Sequence, residues 1–307
     1  MSAGWVAGSV RAKGLLSRRL GAGGTRAIAG LGSLAEAQHA LADGPYGRGI
    51  VVGQSAADTE HLVTATPLWQ LRVLAGWLPR EGARAIRSLA AGFEAANIVS
   101  HARALAGAPP EPLFDLGALA TAWLRLRETS SLSELRRALS QSLWGDPGGD
   151  APSDIATGVQ VAWAVRAATT VPEAGGWAAG GLALLVARQH LLHRRQLRDD
   201  VSAHAARVLG TAALGAGDLT SFAAALPSRA RWSVAGIQDA GELWRGEARW
   251  WTRLERDGFQ LVAGTGFGRA RPVGTAAVLA ADAWRCRAAV HLAARGGGPM
   301  EAYDALT

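Results

Sequence analysis

One short segment occurs three times along this 307-residue chain, and the repetition constrains the fold more than any other feature. The copies read SLAEAQHAL from residue 33, SLSELRRAL from residue 131 and DLTSFAAAL from residue 218, and they align without gaps. In each copy Ser33, Ser131 or Asp218 stands directly before an apolar-periodic segment, where a short side-chain oxygen accepts hydrogen bonds from free helix N–H groups. The sequence therefore predicts three helices that begin in the same way.

The residues behind each N-cap strengthen the repeat. Glu36 and Glu134 stand at the capping-box position of the first two copies, and Ser221 stands there in the third. Leucines recur at matched positions: Leu34 and Leu41, Leu132 and Leu139, and Leu219 and Leu226. Similar helical sequence precedes each copy, which indicates a repeated unit of about 90 residues. We therefore predict three helical repeats over residues 1–87, 88–176 and 177–307, the last with a C-terminal helix.

The composition favours an all-α fold. Ala, Leu, Gly and Arg dominate the chain, aromatic residues make up only 6% of it, and runs of β-branched residues are nearly absent. The length exceeds the usual size of a single hydrophobic core, so two or three packed units are expected.

The charge is strongly basic, with a formal net charge of +7 and a pI near 10.9. A positive field attracts nucleic acid, an anionic membrane surface or an acidic protein face alike. The charge therefore favours acidic partners as a class and does not choose among them.

The sequence also bears on the compartment. Cys286 is the only cysteine, which fits a reducing compartment, and it falls on an apolar stripe with Leu279, Ala283, Val290 and Ala293 that predicts a buried helix face. Basic residues interrupt residues 1–20 without an apolar signal core, and the longest apolar run, residues 177–187, is too short to span a bilayer. We expect a cytoplasmic protein.

No motif for catalysis, cofactor binding or metal binding is complete. The only lysine, Lys13, lacks the glycines of a phosphate-binding loop, and the glycine-rich segment 264–274 lacks dinucleotide-binding spacing. His190 and His193 are spaced as a metal pair but have no further ligands nearby in the sequence. We predict no catalytic residue, no cofactor and no metal.

The segment 242–259 interleaves tryptophans with arginines: Trp244, Trp250 and Trp251 with Arg245, Arg249, Arg253 and Arg256. Such a mixture can stack on nucleic-acid bases or lie at a membrane interface. Because Trp244 and Trp251 share one helical face, packing into a core is the other interpretation.

Three segments carry a resemblance to a known family. The first is VRAKGLLSRRL followed by SLAEAQHALADGPYG, with Arg11, Leu41, Pro45, Tyr46 and Gly47. The second is FEAANIVSHARAL, with Glu94, Asn97 and Arg103, and the third is ADAWRCRAAVHLAARGG, with Asp282 and Arg285. These segments resemble the C subunit of V/A-type rotary ATPases, which is called subunit d in the eukaryotic vacuolar enzyme. The named residues stand at the family's positions, with Glu94 where the family usually has Asp.

The resemblance implies an all-α protein of three similar helical units in a pseudo-threefold, funnel-shaped arrangement. It implies a non-catalytic central-rotor subunit that couples the membrane rotor ring to the central stalk for rotary ion transport, with protons the expected ion. The implied partners are the proteolipid ring and the stalk subunits, with a membrane surface as a further contact and no nucleic acid. The implied location is peripheral, at the cytoplasmic face of the membrane.

Two arginine pairs are candidate contact residues in that role. Arg18 with Arg19 and Arg194 with Arg195 each close an apolar helical stretch, where they are placed to reach polar ring loops or lipid headgroups. The competing interpretation of each arginine is a helix end that is simply exposed to solvent. The alternative function is an arginine-rich helical protein that binds nucleic acid.

Overall fold

The computed structural model describes residues 3–298 and 300–306, and all regular structure in these ranges is helical, as predicted. The α-helices, in chain order, are α1 Ala3–Leu16, α2 Gly21–Ala29, α3 Leu34–Ala42, α4 Ala56–Trp77, α5 Arg80–Leu105, α6 Trp123–Leu126, α7 Leu132–Ser140, α8 Pro152–Thr170, α9 Gly175–Ala187, α10 Asp199–Leu209, α11 Thr211–Leu214, α12 Leu219–Ala225, α13 Ser228–Arg231, α14 Leu243–Ala263, α15 Ala270–Ala293 and α16 Met300–Leu306. Short 3₁₀ turns occupy Gly117–Leu119, Pro172–Ala174 and Ala240–Glu242, and a π-helical turn occupies Arg188–Leu192.

The three predicted N-caps are confirmed. The side chain of Ser33 accepts from the Glu36 N–H at 3.2 Å, that of Ser131 from the Glu134 N–H at 3.2 Å, and that of Asp218 from the Ser221 N–H at 2.8 Å. The two glutamates complete the motif with a variation, because they accept from the N–H of the residue before the N-cap. These local bonds start α3, α7 and α12 in the same way.

The chain forms two compact units, and the first comprises Met1–Ile86 together with Trp251–Thr307. Its central helix is α15, which packs against α1, α2, α3 and α4. The apolar stripe through Cys286 is buried as predicted, and burial raises the pKa of the Cys286 thiol above its usual range. This unit draws on both ends of the chain, and the division into repeats over 1–87, 88–176 and 177–307 stays a prediction.

The second unit comprises Arg87–Trp250, and its central helix is α9. This helix carries apolar residues on all sides, and it is covered by α8, α10 and α13. The apolar run 177–187 is therefore part of a protein core. Among the helices of residues 3–298 and 300–306, none combines the length and apolarity that a bilayer crossing requires.

Gly180 on α9 provides a test of this core. A Cβ atom at Gly180 would lie 2.5 Å from Cζ2 of Trp232, whereas a Cβ at Gly176, one turn earlier on the same helix, meets no atom within 4 Å. We expect Gly180→Ala to lower the free energy of unfolding by about 1–3 kcal/mol through overpacking.

The matched variant Gly176→Ala should be neutral or should raise that free energy by up to about 1 kcal/mol, because alanine favours the helix. Urea unfolding followed by circular dichroism measures both. Equal stability of the two variants would contradict this packing.

Candidate functional site

Asp282 lies on α15 without any exposed surface, and its carboxylate accepts three hydrogen bonds. The backbone N–H groups of Leu20 and Gly21 donate at 3.0 and 2.7 Å, and the Tyr46 hydroxyl donates at 2.9 Å. Leu20 and Gly21 begin α2, so the carboxylate sits at the positive end of that helix. These four residues are called the Asp282 cluster.

Tyr46 is buried in this cluster together with the turn that follows α3. Burial and the negative charge of Asp282 raise the pKa of the Tyr46 hydroxyl well above its ordinary value, so the group is a donor at neutral pH. The chain turns tightly beside it, because a Cβ atom at Gly47 would lie 2.0 Å from the carbonyl oxygen of Ala42. Pro45 is exposed, and Leu41 is fully buried on α3.

Glu94 on α5 occupies an equivalent position in the second unit. It is 1% exposed and accepts from the backbone N–H groups of Thr121 and Ala122, each at 2.7 Å. The Thr121 hydroxyl donates at 2.9 Å and the indole N–H of Trp144 at 3.2 Å. Thr121 and Ala122 precede α6, so this carboxylate also lies at a helix N-terminus. These residues are called the Glu94 cluster.

The two clusters share one design. In each, a carboxylate from a long helix holds the start of a short helix and accepts from an aromatic donor. Tyr46 follows the N-cap Ser33, and Trp144 follows the N-cap Ser131, by the same number of residues. The first two repeated segments therefore lead to the same kind of buried contact, an aromatic donor on a carboxylate.

Arg166 on α8 adds a cation to the Glu94 cluster. Its guanidinium carbon lies 4.6 Å from the centre of the Trp144 ring, and its two terminal nitrogens are buried without a hydrogen-bond partner in the described residues. Burial lowers the pKa of this arginine, and the charge of Glu94 opposes that shift. The charge of Glu94 thus compensates a cation that water does not reach.

A second recurring contact identifies the residue of α9 that corresponds to Glu94 of α5. The Trp163 indole donates to the carbonyl of Ser88 at 3.1 Å, and the Trp250 indole donates to the carbonyl of Trp177 at 2.7 Å. Gly92 and Gly181, one turn after the acceptors, lie against these two rings. In this register the residue that matches Glu94 is Ala183, which is fully buried. The third copy therefore lacks the carboxylate.

Sequence reasoning missed part of this pattern. The aromatic residue after each capped helix, Tyr46, Trp144 or Trp232, was available as a signal. The pattern Trp-x-x-Arg at residues 69–72, 163–166 and 250–253 was a further signal, and it also occurs at 77–80 and 284–287. The three aromatic residues recur with nearly the spacing of the N-caps.

Other family positions take part in separate contacts. Asn97 exchanges two hydrogen bonds with the backbone of Phe114, at 2.9 and 2.8 Å, and so holds the loop after α5. The 4% exposed Arg285 pairs with Glu255, with Nη1 2.7 Å from Oε1. Arg103 pairs with Glu111 at 3.3 Å on the surface. These three residues act within the chain.

The first arginine pair divides between two environments. Arg18 is exposed, and its side chain makes no ion pair in the described residues. Arg19 donates to the carbonyl of Leu16 at 2.9 Å, and its guanidinium carbon lies 5.0 Å from the centre of the Phe259 ring. Arg19 is thus held by its own chain, and Arg18 faces solvent.

The second arginine pair lies in a basic loop after the π-helical turn. Arg194 and Arg195 are both exposed, and Arg194 has the unusual φ of 54°. The Arg195 N–H donates to the carbonyl of Gln189 at 2.8 Å, and the Leu197 N–H donates to Nε2 of His190 at 3.2 Å. Because Nε2 accepts here, the loop is closed by the neutral form of His190.

Two of the three tryptophans in segment 242–259 are used inside the protein. Trp250 donates to Trp177, as described above, and the Trp251 ring stacks on Trp284 with centroids 5.2 Å apart. Trp244 is exposed beside Arg245.

No group of three or more His, Cys, Asp and Glu residues suited to a metal ion occurs in residues 3–298 and 300–306.

No protein-family model matches the chain, and no curated protein matches it.

The Glu94 cluster generates a stability prediction. Glu94→Gln keeps the size of the side chain but removes the charge shared by the donors of Thr121, Ala122 and Trp144. It also leaves Arg166 without its compensating charge. We expect the free energy of unfolding to fall by about 2–3 kcal/mol in urea titrations.

Glu128→Gln is the matched control, because Glu128 is exposed and belongs to a surface ion pair. Its effect should stay below about 1 kcal/mol. If Glu94→Gln were no more costly than this control, the carboxylate would not hold the cluster together.

The histidines predict the pH dependence of stability. Burial lowers the pKa of His61 and His190, and burial followed by the charge of Arg207 lowers that of His204. The unfolded chain therefore binds protons first, so stability is full above the ordinary histidine pKa of about 6.5 and falls as the pH drops below it.

We expect the melting temperature to decrease between pH 7.5 and pH 5.5, and to decrease less in His190→Gln. The exposed His193→Gln is the control and should retain the wild-type slope. A wild-type melting temperature that is flat or rises on acidification would contradict the assignment.

Proposed function

We propose that this chain is the non-catalytic central-rotor subunit of a V/A-type rotary ATPase or ATP synthase. In this role it couples the membrane rotor ring to the central stalk at the cytoplasmic face of the membrane. Its three similar helical units would take a pseudo-threefold, funnel-shaped arrangement. Its partners would be the proteolipid ring and the stalk subunits, and it would need no cofactor.

The main support for this proposal is that residues from separate segments of the family resemblance contact each other in the structure. Tyr46 and Asp282 come from separate matching segments, 236 residues apart in the chain, and they share a 2.9 Å hydrogen bond. Glu94, which stands where the family has Asp, forms the corresponding cluster. Residues that match a family pattern and also contact each other support a common fold better than scattered matches do.

The physical character of the helices also supports a coupling role. A part that transmits torque must be stiff, and long helices tied together by buried charge-assisted hydrogen bonds resist bending. Both clusters join a long helix to the start of a short one, which fixes the position of each short helix. The partly buried ion pair between Arg285 on α15 and Glu255 on α14 ties two long helices together in addition.

Nucleic-acid binding remains the alternative, and the structure weakens one of its supports. Trp250 and Trp251 are engaged by Trp177 and Trp284, so the segment 242–259 offers only Trp244 as a largely exposed ring. Several arginines are also compensated by carboxylates on the same surface, as in the pairs of Arg245 with Glu242 and Arg253 with Asp257. Such pairs weaken the field that would attract phosphates.

Affinity recovery from the host's membranes tests the proposal. The tagged chain is expressed in its own host, the membranes are solubilised in mild detergent, and the recovered proteins are identified by mass spectrometry. We expect a proteolipid ring, stalk subunits and ATP hydrolysis in the eluate.

The variant Glu94→Ala with Asp282→Ala provides the control, since loss of both clusters should remove the ring and stalk subunits and leave only non-specific partners. A soluble wild-type protein without these partners would contradict the proposal. A protein recovered only with polynucleotide would support the alternative.

A further inference from the structure

Helix α1 is apolar on two sides, and one of these sides is uncovered. Its inner side packs on the first unit, where Ala12, Leu15 and Leu16 are buried. On the outer side Val6 and Val10 are 40% and 64% exposed. The two valines are one helical turn apart, so they form a single stripe. A helix that is apolar on both sides is normally covered on both.

The charged residues of α1 and of the turn after it are all basic. Lys13 is exposed one turn after Val10 and flanks the stripe, and the exposed Arg18 follows the end of the helix. Neither cation forms an ion pair in residues 3–298 and 300–306, and residues 1–35 contain no acidic residue. A partner that covers the stripe therefore meets uncompensated positive charge at Lys13 and Arg18.

We propose that the outer side of α1, with Val6, Val10 and Lys13, and Arg18 just after its end, binds the surface of an anionic lipid bilayer. The apolar stripe enters the headgroup boundary, and the flanking cations meet lipid phosphates. This inference deepens the proposed function, which places the chain at a membrane, and it assigns that contact to α1. The basic loop at Arg194 carries a weaker case, because Asp199 and Asp200 follow it closely.

Vesicle flotation with the purified full chain tests this assignment. The probe is phosphatidylcholine vesicles with and without about 30% phosphatidylglycerol at low salt. We expect binding to the anionic vesicles only, with loss at high salt because ions screen the cations. Lys13→Gln with Arg18→Gln should weaken binding about 30-fold, and Val6→Ser with Val10→Ser about tenfold.

The first unit supplies matched controls for both variants. Val51→Ser with Val52→Ser changes two exposed valines elsewhere, and Arg80→Gln with Arg84→Gln removes two exposed arginines that form no ion pair in the described residues. Both controls should bind vesicles nearly as well as the wild type. Circular dichroism and melting temperature verify that each variant is folded.

Several results would overturn the inference. They are a wild-type chain that does not bind anionic vesicles, equal weakening by the control and the test variants, and binding of a duplex DNA that depends on Lys13 and Arg18 and exceeds vesicle binding. Since flotation uses the isolated chain, it can fail while the rotary complex is still recovered from membranes. The failure of this inference is thus distinguishable from failure of the proposed function.

Discussion

The structure depends on buried carboxylates placed at the starts of short helices. Asp282 joins α15 to α2 and to Tyr46, and Glu94 joins α5 to α6 and to Trp144. A buried charge is costly unless hydrogen bonds satisfy it, and helix N-terminal N–H groups are donors that lack partners of their own. In each cluster the N–H groups satisfy the buried carboxylate, and the carboxylate gives those N–H groups an acceptor. The carboxylates thereby fix where the short helices lie on the long ones.

This constraint explains why the chain repeats its N-cap segments. An N-cap begins the helix before each aromatic residue, and the helix length then sets where Tyr46 or Trp144 meets its carboxylate. The copy around α9 departs from the pattern, since Ala183 replaces the carboxylate and the Trp232 ring packs against Gly180. Apolar packing there takes the place of a charged contact. Two of the copies are therefore held by buried hydrogen bonds and the third by close packing.

Features set by neighbouring residues could be predicted from the sequence, and contacts between residues far apart in the chain could not. The N-caps Ser33, Ser131 and Asp218 were predictable because a cap bonds only to residues within its own first turn. The contact of Leu20 with Asp282 spans 262 residues, so periodicity and spacing alone do not reveal it. The family resemblance identified Tyr46 and Asp282 as motif residues without indicating that they touch. Arg19 illustrates the same limit, because its contact with Phe259 arises from packing that no nearby residue signals.

Electron cryo-microscopy of the complex recovered with the tagged chain from host membranes tests the proposed rotor role most directly. We expect density for this chain between a membrane-embedded ring and a central stalk, with the carboxylates of Asp282 and Glu94 each at the start of a short helix. Density for the chain at any other position, or particles that lack a ring, would contradict the rotor role.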